Sequence, residues 1–181
     1  MKNVISTLIL LATASLAPAQ QPGITQDLIT QVVSEGTTVT FQVAAAGTLP
    51  LTYNWYRNSS LTPYATMTLD DTNCALRLPT VAATDAGYFR VNVRNAAGNA
   101  WGRTAYLAVL APRMDTNGFA LTIRATTNTQ WRIEMSTNAE AGAAWATLTN
   151  LTIPRNPPYV RYVDPEGTNH YRFYRVSPRV F

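Results

Sequence analysis

The sequence predicts an all-β protein built as two sandwich-like modules in tandem. Three observations carry this prediction. No sustained helical period runs between residues 24 and 181, apolar side chains alternate in short runs, and Gly, Pro, Asn and Asp punctuate those runs. The elements follow in order.

The chain opens MKNVISTLILLATASLAPAQ. Lys2 precedes an apolar run from Val4 to Leu16, and the small residues Ala17-Pro18-Ala19 follow. This is the pattern of a secretory signal over residues 1–19, with cleavage after Ala19. The run is short for a membrane span. An uncleaved N-terminal anchor helix is the alternative. No cysteine follows the run, which argues against lipoprotein processing, and no second stretch approaches membrane length. The expectation is a protein secreted to the periplasm, the cell surface or the medium, with no membrane span once the signal is removed.

TTVTFQVAA places Val39, Phe41 and Val43 on one face of a strand. LTYNWYRN does the same for Tyr53 and Trp55, and NCALRL for Cys74, Leu76 and Leu78. YFRVNVRN follows, and RTAYLAVL then aligns Ala105, Leu107 and Val109. At LAPRMDTNG, Pro112 is expected to stop the ladder before polar turn formers. A second series begins there: FALTIRA, QWRIEMS, AWATLTN, YVRYVD and YRFYRV. The mature chain therefore divides into residues 20–111 and 112–181.

Cys74 is the single cysteine, so no internal disulfide forms and packing must hold the fold. Its parity with Leu76 and Leu78 turns it inward; an exposed thiol pairing with another chain is the alternative. Lys2 is the only lysine. From Gln20 to Pro112, five arginines balance five acids; from Arg113 onward, eight arginines face five acids. That excess permits contact with anionic polymers but is too scattered to indicate nucleic acid.

Residues 20–111 resemble the I-set class of immunoglobulin domains, in the disulfide-free form of bacterial secreted proteins. EGTTVTFQVAAAG resembles strand B, and LPLTYNWYRN resembles strand C with its core tryptophan, Trp55. LRLPTVAATDAGYFRVNV resembles strands E and F with their turn, and NAAGNAWGRTAYLAVL the F–G hairpin and strand G. The resemblance puts the two family cysteines at Val43 and Val91, so contact replaces the covalent link. A bridge closing about 48 residues would contribute about 4 kcal/mol in the chain-entropy account. Two buried valines recover about 1.5–3 kcal/mol each. The family tyrosine before the second cysteine is Phe89 here, which forfeits the hydroxyl bond of the tyrosine corner. The resemblance implies a structural core of Val43, Trp55, Leu78, Asp85, Gly87, Phe89 and Val91. Asp85 suits a turn hydrogen bond and Gly87 a tight turn entry.

Residues 112–181 resemble a C-terminal β module of secreted Verrucomicrobia-type proteins. QWRIEMSTN, the tryptophan of AAWATL, and VDPEGTNHYRFYRV carry the likeness. It implies an exported location and no established activity.

Catalysis needs a positioned set of acids, bases, nucleophiles or ligands, and the sequence offers none. His170, the single histidine, stands alone in a turn. Asp164 with Glu166, and Asp70 with Asp71, sit in turns without the spaced oxygens of a calcium loop. No phosphate loop or nucleophile elbow is present. The reading is a protein that is no enzyme and needs no metal or cofactor.

The last third instead mixes aromatic rings with arginines. Trp145, Tyr159, Arg161, Arg172 and Tyr174 are the candidate ligand-binding residues, since rings stack on sugars and guanidinium forks grip acid groups. Core packing of the same rings is the alternative. The expected function is binding or adhesion to a glycan or an envelope protein. Two alternatives are a structural subunit joined through strand edges and an accessory of polysaccharide processing.

Overall fold

A computed structural model describes residues 17–140, 142–156, 158–167 and 172–179. Residues 1–16 of the expected signal, His170 and Tyr171 lie outside the described residues. Among those described, the chain forms fourteen strands, one 3-10 turn and no α-helix.

The first sandwich uses β1 (Gly23–Gln26), β3 (Val39–Ala46) and β6 (Asn73–Leu78) as one antiparallel sheet. The facing sheet contains β5 (Ala65–Leu69), β4 (Leu51–Arg57), β7 (Gly87–Asn95) and β9 (Ala105–Asp115). β8 (Gly98–Trp101) lies beside β7, and β2 (Gln31–Ser34) runs parallel to β9. Alternation in β3 buries Val39, Phe41, Val43 and Ala45 and exposes Thr40 and Gln42. Those residues meet the inward face of the second sheet.

Trp55 stands opposite Val91 in the β4–β7 ladder, and both are 0% exposed. Val43 reaches the same core from the other sheet and is 2% exposed. Phe89 is buried and packs against Phe41, the rings tilted by 32° with centroids 4.8 Å apart. Leu78 is buried in the same cluster. Each such side chain contributes about 1.5–3 kcal/mol of burial, which is how two valines hold the position of a bridge.

Asp85 and Gly87 sit at the rim of this core, half-buried. The reason is their backbone role. The 3-10 turn Ala83–Asp85 is closed by the Asp85 carboxylate, which accepts the Ala82 N–H at 2.9 Å and pairs with Arg57 at 3.4 Å. Gly87 has φ +155, and a Cβ there would collide with Asn58 Oδ1. Glycine alone fits that approach.

Cys74 is buried opposite Val43, with its sulfur 3.6 Å from Met67 Sδ. Burial pushes its thiol pKa up, partly opposed by the Trp55 indole.

Pro112 does not stop the ladder. β9 runs through it to Asp115 and pairs with β10 (Gly118–Arg124), Pro112 facing Leu121. β2 leaves β9 at Leu110, and β7 pairs only with residues 105–107. Beyond Leu110, β9 therefore has one neighbour, and a proline is tolerated where one edge of the strand is open.

β13 (Tyr159–Asp164) joins β10 and extends this sheet. A third sheet of β12 (Ala146–Thr152), β11 (Gln130–Ser136) and β14 (Phe173–Pro178) completes the second module. Its core gathers Leu121, Ile123, Trp131, Ile133 and Ile153. β9 serves both cores by alternation: Ala105, Leu107 and Val109 enter the first, Ala108 and Leu110 the second.

The architecture is thus all-β, an immunoglobulin-like sandwich followed by a second small sandwich. Four strands carried no clear sequence signal: β1, β2, β5 and β8. They have only four or five residues, too few for alternation to stand out.

Candidate functional site

The aromatic and arginine side chains of the second module do not converge on one face. Trp145 lies under Arg175, whose guanidinium carbon is 4.6 Å from the ring centroid. Arg175 in turn grips Glu134 through Nε and Nη2 at 2.8 and 3.1 Å, and holds that carboxyl pKa below its ordinary value.

Arg172 and Tyr174, expected on a ligand surface, are committed to the fold instead. Arg172 donates to Asp164 at 2.9 Å and to Glu166 at 2.6 Å. The Tyr174 hydroxyl donates to Asp164 at 2.8 Å, and its ring stacks on Phe119 at 3.9 Å. Burial, then the Asp164 contact, pushes the Tyr174 pKa up. The physical reason is Asp164, a buried carboxylate on a turn, which needs donors. Its turn is closed by the Gly167 N–H at 3.1 Å. Asp164 was legible as a turn former, but its partners, Arg172 just before β14 and Tyr174 on it, were not.

Tyr159 and Arg161 lie on β13, on the face turned away from the second core. Tyr159 meets Arg124, its ladder partner, at 5.0 Å.

Two surfaces remain where unpaired arginines meet rings or hydroxyls. The first is the outer face of β4, β7 and β8. Arg90 sits between two rings, 4.7 Å from the Trp101 centroid and 5.6 Å from Tyr56. Trp101 is 50% exposed. An open depression of about 460 Å³ adjoins it, lined partly by Asn92, Arg94 and Asn99. Asn92 donates to Asn99 at 2.9 Å, which fixes both amides. Neither Arg90 nor Arg94 forms an ion pair among the described residues. Sequence reading missed this surface because Trp101 lies on a four-residue strand whose partners only the ladder reveals.

The second surface is a groove at the seam between modules. β2 occupies one edge of β9, so β7 and β10 share the other and meet end to end. Between them is a groove of about 340 Å³ lined by Asn58, Gly87 and Tyr88 on one side and by Arg124, Thr127 and Arg155 on the other.

Residues 21–95 match the family model described as "Immunoglobulin domain". They form an immunoglobulin-like domain. A relative of this part of the chain is the muscle M-line assembly protein unc-89 of Caenorhabditis elegans, 34% identical over 89 residues. That alignment covers 46% of this chain and 1% of the relative, so the chain spans about a hundredth of that protein. Among solved structures, a chimeric titin Z1Z2 carrying a decorin peptide is 29% identical, with a TM-score of 0.46. It covers 52% of this chain and 99% of that one. An Ig complex of titin M10 with obscurin like 1 is 24% identical, with a TM-score of 0.46, covering 52% and 98%.

Within the immunoglobulin-like domain, the Trp101 surface lies on the sheet face opposite the core. Among the described residues, no group of His, Cys, Asp and Glu could hold a metal ion. No helix among them is long and apolar enough to cross a membrane.

Proposed function

We propose that this is an exported, non-enzymatic binding protein whose immunoglobulin-like domain, of I-set type, contacts a glycan or an envelope protein. The observation that carries the reading is the Trp101 surface. A half-exposed indole lies beside two fixed amides and two arginines without acid partners. A flat ring covers a sugar face while amides and guanidinium forks accept and donate around its rim. The apolar N-terminal segment and the likeness of residues 112–181 to a module of secreted bacterial proteins support export.

The test is a glycan array and an envelope-protein binding screen with the chain from Gln20 onward. Binding that weakens at least tenfold in Trp101→Ala, with an unchanged unfolding midpoint, supports the reading. Binding to nothing in either screen, or binding indifferent to Trp101→Ala, overturns it.

A structural role in an assembly is the second reading. β5 is the outermost strand beyond β4 and carries one open ladder edge, a template for strand addition. The unc-89 relative is named as an assembly protein. Size-exclusion chromatography separates the two: a monomer at micromolar concentration removes the assembly reading.

A further inference from the structure

We infer that the groove at the seam between the two modules binds a carboxylate-bearing sugar, such as a uronic acid unit. This site is separate from the Trp101 surface, and the inference stands without it.

The first ground is charge. Arg124 and Arg155 line the groove, and none of its ten lining residues is acidic. Among the described residues, Arg57, Arg103, Arg113, Arg172 and Arg175 meet carboxylates. Arg124 and Arg155 meet none among the described residues. Two cations held on one groove without a counter-ion suit an anionic guest.

The second ground is orientation. Arg124 is held against the Tyr159 ring at 5.0 Å. A stacked guanidinium keeps its N–H edge free for a planar carboxylate, which it meets through two parallel bonds.

The third ground is the shape and chemistry of the walls. A volume of about 340 Å³ falls at the lower end of small-ligand pockets, about 300–1,000 Å³. Tyr88 and Pro158 supply apolar wall, and Thr127 and Asn58 supply polar groups. Carboxylate at one end and ring with hydroxyls along the walls describe a sugar acid. Opposite walls of the groove come from different modules, so the modules bind as one unit.

Isothermal titration of the chain from Gln20 onward with galacturonic acid, glucose and acetate tests this. Galacturonate binds and weakens as salt screens the arginines, while glucose and acetate bind at least tenfold more weakly. Arg155→Gln, on an exposed loop, weakens galacturonate at least tenfold, as does Arg124→Gln. Arg77→Gln, on the exposed face of β6 and outside both surfaces, leaves it unchanged. Galacturonate binding no better than glucose overturns the proposal. Acetate matching galacturonate overturns the sugar assignment, and wild-type binding by both Arg124→Gln and Arg155→Gln overturns the site. The circular dichroism spectrum and unfolding midpoint of each variant identify a folding defect, in which case Arg155→Gln decides the matter.

Discussion

Val91→Ala tests whether apolar contact fills the place of a disulfide. Val91 is 0% exposed, stands opposite Trp55 in the ladder and shares one core with Val43 of the other sheet. The change deletes two carbons. Their transfer contributes about 0.8 kcal/mol each, and the cavity they leave adds about 24 cal/mol per Å³ of unfilled volume. Val91 is laddered to Trp55 on one side and accepts the Gly102 N–H at 2.9 Å on the other, so little collapse follows, and the expected loss is about 2–3 kcal/mol. At about 2–4 °C per kcal/mol for a chain of this size, Tm falls by about 4–12 °C. Urea unfolding followed by Trp fluorescence measures it, with m unchanged if only the core is affected. Val32→Ala, a partly exposed site on β2, is the control and shifts stability by less than about 0.5 kcal/mol. A Val91→Ala loss no greater than that control would refute the core reading and the sandwich register with it.

Three further outcomes follow from the same structure. Gly87→Ala destabilises by about 1–3 kcal/mol, because the residue adopts φ +155 and its Cβ would meet Asn58; chemical denaturation reads the loss, and a neutral result refutes the close approach. Tyr53 is fully buried, and burial raises its pKa to about 12 from 10.0. The folded state keeps a proton that the unfolded chain releases, so this stability is whole below pH 10 and falls through the window from about 10 to about 12, by about 1.4 kcal/mol per pH unit; Tyr53→Phe removes that slope in alkaline urea titrations. Cys74 is buried with a raised pKa, so a thiol reagent reacts with it only as fast as the protein opens; rapid reaction in native buffer would contradict its placement.

The two surfaces differ in how much of them sequence could show. Tyr159 is visible as an aromatic residue among arginines, but its partner Arg124 lies on another strand, and the ladder alone joins them. Trp101 sits in a strand of four residues after a tight hairpin, too short for alternation to register. Arg172 and Tyr174 read from sequence as available groups. A turn aspartate that meets them on the return of the chain into β14 occupies their polar groups.

Period-two alternation and turn residues, which are local, determined the all-β class and the inward pairs Phe41 with Val43 and Tyr53 with Trp55, while the resemblance to immunoglobulin domains supplied Phe89 and Val91. The tertiary structure decided what alternation cannot reach: that β9 crosses Pro112 and serves two cores on opposite faces, and that β7 and β10 meet to form the seam groove. The physical reason is that one strand's pattern states which side is apolar. Which neighbour covers that side, and which edge stays open, depends on chain segments far away in sequence.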